Sequence, residues 1–136
     1  MGKPHHKLEV WKRSLNFVTK IYKITAKYPN EEKFGLVSQI RRAAVSIPSN
    51  IAEGAARNSK KEFINFLHIA QGSAAELETQ IFISRNLNFL KSNQAEPLLQ
   101  ELEEISRMII GLQKSLRSSV RRRIKTRNSS LFTCYS

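Results

Sequence analysis

Chemistry in a small protein needs groups that meet: a nucleophile with a base, a pair of carboxylates, or ligands at metal spacing. This chain of 136 residues offers few of them. His68 is the only histidine outside the adjacent pair His5-His6. Bundles that hold two metals use Glu-x-x-His on facing helices, yet the residue three before His68 is Asn65. His5-His6 alone is weak grounds for a metal site. Cys134 is the single cysteine. It has no His or Asn constellation to make it a nucleophile and no second cysteine for an internal disulfide. Glu76 and Glu78, two apart on a helix, face different directions and do not make an acid–base pair. No glycine-rich phosphate loop is present. The residues point away from an enzyme and imply no metal and no cofactor.

What the chain does carry is positive charge. Twenty-three Lys and Arg stand against eleven acids, a formal +12. Every acid is Glu, and none follows Glu104. Eight basic residues do follow it, so two thirds of the net charge lies after that point. An excess of this size suits a polyanionic partner such as nucleic acid, or simply a well-solvated surface. The candidate phosphate contacts fall into three groups. Lys12, Arg13, Lys20 and Lys23 lie on the first helix; Arg57, Lys60 and Lys61 lie at the second turn. Arg117, Arg121, Arg122, Arg123, Lys125 and Arg127 form a C-terminal arm. Lys60 and Lys61 open a helix, where backbone amides also favour phosphate. Such contacts give affinity without base specificity. Aromatic residues interleaved with the basic ones, the mark of single-strand readers, are missing from the arm until Phe132 and Tyr135.

The elements that must position these residues are helices. Apolar residues recur at helical spacing in four segments, and no strand-like alternation competes. The first, about Leu8 to Tyr28, carries two stripes: Leu8, Trp11, Leu15, Val18 and Tyr22, and Val10, Phe17, Ile21, Ile24 and Tyr28. The second places Leu36, Ile40, Ala43, Ile47 and Ile51 in phase. The third starts at the capping box Ser59-Lys60-Lys61-Glu62 and carries Phe63, Leu67, Ala70, Ala74, Leu77 and Ile81. The fourth opens near Asn93, with Glu96 and Pro97 in its first turn. Leu98, Leu102, Ile105, Ile109, Leu112 and Leu116 alternate there by four and three, the seam of a left-handed bundle.

Pro48 interrupts the second segment and costs a helix roughly 3 kcal/mol. Two arrangements fit: a helix ending there with a new one capped at Asn50 and Glu53, or one kinked helix. The phase favours the kinked helix, because Ile51 stays in register with Ile47, Ala43 and Ile40. The opposite face holds a polar stripe, Gln39, Arg42, Ser46, Ser49 or Asn50, and Glu53. It reads as a solvated face, or as a network in which Arg41 or Arg42 pairs with Glu53 or Glu76. Gly72, Ser73, Ala74 and Ala75 around Glu76 are small enough for close helix approach.

Size and composition bound the rest. The length fits one domain with a real core. No apolar run approaches the ~20 residues of a membrane span, the N-terminus lacks a secretory pattern, and a lone cysteine fits a reducing cytoplasm. The first and third helices bear more apolar surface than one bundle can cover. Ile64, Phe66, Ile69, Phe82, Ile83, Leu87 and Phe89 lie beyond the third helix's seam, so self-association is expected. The reading divides the chain into a helical domain, residues 1–117, and a basic arm, residues 118–136. The arm is expected to be poorly ordered beyond about Ser119, since like charges and few apolar groups cannot offset ordering entropy.

Four stretches carry a family resemblance: LEVWKRS, FGLVSQIRRAAVSIPSNIAEG, SKKEFINFLHIAQGSAAELETQ and LEEISRMIIGLQKSL. Over about residues 7–117 the chain resembles the bacterial four-helix bundle proteins first noticed as reading frames inside intervening sequences of large-subunit ribosomal RNA genes. The resemblance implies an all-α, antiparallel up-down-up-down bundle and a ring-shaped homo-oligomer, by likeness a pentamer. Similar accessory variability proteins of diversity-generating retroelements bind nucleic acid and a reverse transcriptase. The expected function is therefore an accessory protein that binds nucleic acid, RNA first, through its backbone. The other class in play is a protein–protein interaction scaffold whose charge serves solubility.

Overall fold

Four helices form where the apolar stripes repeat. The computed structural model describes residues 2–134, with side chains through Arg127 apart from that of His6. Helix α1 spans Glu9–Thr25, α2 Leu36–Ala55, α3 Lys60–Asn86 and α4 Ser92–Cys134, with short 3-10 turns at Pro4–Lys7 and Asn30–Glu32. No strand occurs among the described residues. Each helix packs on two others: α1 on α2, α2 on α3, α3 on α4, and α4 back on α1. Helices α1 and α3 therefore stand diagonally opposed.

The core is made by the predicted seams. Ile40, Ala43, Ile47 and Ile51 of α2 are buried with Leu67, Ala70, Ala74, Leu77 and Ile81 of α3 and Leu98, Leu102, Ile105 and Ile109 of α4. Burying each large aliphatic chain stabilises the fold by about 1.5–3 kcal/mol. Of the two α1 stripes, Val10, Phe17, Ile21 and Tyr28 point inward. Of the other, Leu15 and Tyr22 are exposed, while Leu8, Trp11 and Val18 are partly buried against the core. Ile24 is half-buried against the core.

Pro48 lies inside an unbroken α2, as the phase of its stripe predicts. The proline has no N–H to offer the Ala44 carbonyl. Asn50 stabilises the neighbouring turn, donating from Nδ2 to the Ser46 carbonyl at 2.7 Å and Ser46 Oγ at 2.9 Å. Two helix ends follow local chemistry. Ser59 caps α3 by accepting from the Glu62 amide at 3.4 Å. Asn88 closes α3 with φ of 63°: the Phe89 amide returns to the Ser84 carbonyl and that of Asn88 to Arg85, a Schellman closure. Helix α4 begins one residue earlier than expected, and Gln94 Oε1 accepts the Lys91 amide at 2.9 Å.

The largest departure is at the C-terminus. Helix α4 continues past Ser119 through the basic segment, for which poor order was expected, to Cys134. Arg and Lys are good helix formers, and the segment has neither Gly nor Pro to stop a helix already nucleated. The side chains of Phe132 and Cys134, and Tyr135 altogether, lie outside the described residues.

Candidate nucleic-acid interface

The capped start of α3 and the far part of α4 meet at one end of the molecule. Lys60 Nζ reaches Ser119 Oγ. Beside this contact, Lys60, Lys61, Val120, Arg123 and Ile124 line a groove of about 400 Å³. Arg122, Arg123 and Arg127 surround a second recess with Ser119 and Thr126. One turn back on α4, Arg117 donates to His68 Nε2 at 3.0 Å. Arg57 in the α2–α3 turn pairs with Glu53 at 3.1 Å and lies 5.0 Å over the Phe66 ring. Arg121 and Lys125 are exposed on the same extension.

Among the described residues, Lys60, Lys61, Arg117, Arg121, Arg122, Arg123 and Arg127 take part in none of the five ion pairs. The structure thus brings together the second-turn and arm candidates. It does not bring the α1 candidates with them. Lys12 pairs with Glu9, Arg13 with Glu104, and Lys20 with Glu101 at 2.8 Å. Lys23 is exposed. The reason is packing: α1 lies against the half of α4 that carries Glu101 and Glu104.

The pairing of Arg41 or Arg42 with Glu53 or Glu76 does not form within the chain. Arg41 turns toward α1, donating from Nε to Thr25 Oγ1 at 3.0 Å and from Nη2 to the Tyr22 carbonyl at 3.2 Å. Glu53 is held by Arg57, and Glu76 accepts from Gln80 at 3.4 Å. Arg42 and Glu76 face one cleft of about 380 Å³, bridged at its floor by Ser46 and Ser73 hydroxyls 2.8 Å apart. Close helix approach occurs at Gly54 rather than Gly72, where an added Cβ would meet nothing within 4 Å.

With this geometry in place, the likeness to known proteins can be read against particular residues. The family model described as 23S rRNA-intervening sequence protein matches residues 6–111. The chain belongs to that family. The match covers the helices through most of the α4 seam and stops before Arg117. A crystal structure at 1.70 Å of a protein with unknown function from the S23 ribosomal protein family, from Bacteroides thetaiotaomicron, is 30% identical. It covers 77% of this chain and 98% of its own, with a TM-score of 0.70. No curated protein matches. The basic end of this intervening-sequence family member is thus built partly from matched residues, Arg57, Lys60 and Lys61, and partly from an extension beyond the match.

Among the described residues, no cluster of three His, Cys, Asp or Glu could hold a metal, and no helix is long and apolar enough to cross a membrane. One grouping escapes a reading by stripes. Phe34, in the turn before α2, is 90% exposed and shares a recess with Tyr22, Lys33, Arg41 and Arg42. The only sequence signal for it is a phenylalanine off the α2 stripe, between a lysine and a glycine.

Proposed function

We propose that this protein is a non-enzymatic, oligomeric accessory protein that binds nucleic acid through its phosphate backbone, alone or with a nucleic-acid enzyme. The observation that carries the reading is the meeting of Lys60 and Lys61 with Arg122, Arg123 and Arg127 at one end, where those cations pair with no acid among the described residues. Lys and Arg at this density release counterions from a polyanion and steer it in. The family's name ties it to an intervening sequence of 23S rRNA, which makes RNA the first polyanion to test.

Assembly is the second part of the reading. The outward α1 stripe exposes Leu15 and Tyr22, and α3 exposes Ile69, Phe82, Ile83 and Leu87. These faces belong to diagonally opposed helices, so they are different patches on opposite sides. Two unlike patches favour head-to-tail association, which closes into a ring when the rotation allows. We take the helices as antiparallel, up-down-up-down, and the ring as a pentamer by resemblance.

Removal of residues 118–136 tests the backbone contacts, since it deletes Arg121, Arg122, Arg123, Lys125 and Arg127. RNA affinity should fall, and the slope of log affinity against log salt should shrink by roughly 0.7–0.9 per lost contact. An unchanged slope would remove the extension from the interface.

A further inference from the structure

The recess before α2 has the makings of a second site. Phe34 is held outward by its turn. The Gly35 amide bonds to the Glu32 carbonyl at 3.1 Å, and the Glu32 carboxylate accepts the Leu36 amide at 3.2 Å, capping α2 in place of an N-cap side chain. The phenyl ring stands 90% exposed. Lys33 Nζ lies 5.6 Å from its centroid. Across the recess, the Arg41 guanidinium stacks 4.4 Å over the Tyr22 ring and is immobilised by its bonds to Thr25 and the Tyr22 carbonyl. Arg42 completes the wall, no acid lines it, and the space is about 600 Å³.

Flat aromatic and guanidinium surfaces set among cations match one ligand chemistry, an unpaired base with its phosphate. We infer that this recess holds an unpaired nucleotide of an RNA strand, its base stacked on Phe34 and its phosphate held by Lys33 and Arg42. The inference rests on the nucleic-acid reading above but uses other residues. Phe34 and Lys60 lie beyond opposite ends of helix α2, which is 20 residues long and so about 30 Å; the recess runs along its first half.

The test compares a short adenine-only RNA strand with a fully paired RNA hairpin by fluorescence anisotropy, using the full chain and its Phe34→Ala and Phe34→Trp variants. An exposed ring makes both substitutions compatible with folding, which circular dichroism checks. Phe34→Ala should weaken single-strand binding by at least about fivefold. It should leave hairpin binding and particle size unchanged. Phe34→Trp should bind the strand like the native chain, with its added indole emission quenched by the base. Native affinity of Phe34→Ala for both RNAs overturns the stacking site and leaves the backbone reading standing. An equal loss on both RNAs, or a change in particle size, assigns Phe34 to another contact and also overturns it. Failure of the native chain to bind either RNA overturns both readings together.

Discussion

Gly54 of α2 and Phe66 of α3 stand so close that a β carbon on the glycine would lie 2.7 Å from the phenylalanine's Cβ. Phe63 Cδ1 would lie 3.1 Å away. A Cβ is fixed to its backbone, so no rotamer of Phe66 relieves the overlap. Gly54→Ala must push the start of α3 aside, at about 1–3 kcal/mol. The better helix propensity of alanine returns only about 0.8–1 kcal/mol. The variant should melt lower than the native chain in a calorimetric scan. Gly72→Ala is the internal contrast: its Cβ meets nothing within 4 Å, so propensity acts alone and the melting point should rise. Equal behaviour of the two would show that α2 and α3 do not meet at Gly54.

The ion pairs of α1 make a separate prediction. Lys20 and Arg13 are held by Glu101 and Glu104. Exposed pairs of this kind contribute about 0–1 kcal/mol each. The double variant Glu101→Gln, Glu104→Gln should therefore lose little stability in urea titration. Its RNA affinity at low salt should rise, because two cations lose their acids and the net charge grows. Unchanged affinity would place the bound strand away from α1.

The core was legible because its signal is redundant: Ile40 to Ile51, Leu67 to Ile81 and Leu98 to Ile109 each repeat one period over several turns. Pro48 yielded to the same signal, since phase across a proline is hard to keep by chance. Which α1 stripe turns inward was not legible. Both stripes have five apolar members, and the choice depends on what α2 and α4 offer them. Ile24, a member of the stripe that turns inward, is only half-buried at the edge of the core. The continuation of α4 was missed for a different reason. Charge repulsion and lack of burial argue for disorder there, while the strong helix propensity of Arg and Lys with no breaker argues for extension. At the candidate site, the arm and second-turn cations were legible from charge alone. Their separation from Lys12, Arg13 and Lys20 depends on which helix face meets the acids of α4. Phe34 was silent because its exposure comes from a turn held by Glu32, a contact without a periodic signature.

Tyr28 gives the fold an alkaline limit. Its buried ring lies 5.4 Å from Phe89. Burial pushes the phenol above its ordinary value of 10.0, and a hydrogen bond with Ser84 partly opposes this. The folded state thus holds the proton more tightly than the unfolded chain. That contribution is complete below the unfolded pKa and is lost as pH rises through the folded one. The urea midpoint of the native chain should hold up to about pH 10 and fall as the pH rises above it. Tyr28→Phe should flatten that fall, at the cost of the Ser84 bond. Parallel curves for the two proteins would remove Tyr28 from the alkaline transition.

The proposed ring can be tested by blocking its two faces one at a time. Leu15 lies on the outer stripe of α1 and Phe82 on the outer face of α3, both exposed. Leu15→Glu and Phe82→Glu should each keep their helical signal and lose higher assembly in light scattering. Leu77→Glu, in the fully buried seam, should unfold the chain, because an unpaired buried charge is not tolerated. Ile24→Glu, half-buried against the core, should resemble Leu77→Glu rather than Leu15→Glu. In a head-to-tail ring each interface joins an α1 face to an α3 face. The Leu15→Glu protein retains a sound α3 face, and the Phe82→Glu protein a sound α1 face. Mixed together, they can form one native interface and no more. The mixture should therefore contain a heterodimer of about twice 15.6 kDa, while neither variant alone exceeds the monomer. A like-to-like dimer across α1 predicts the reverse: Phe82→Glu would dimerise alone and mixing would add nothing. Native assembly in both single variants would place the subunit contact on neither helix.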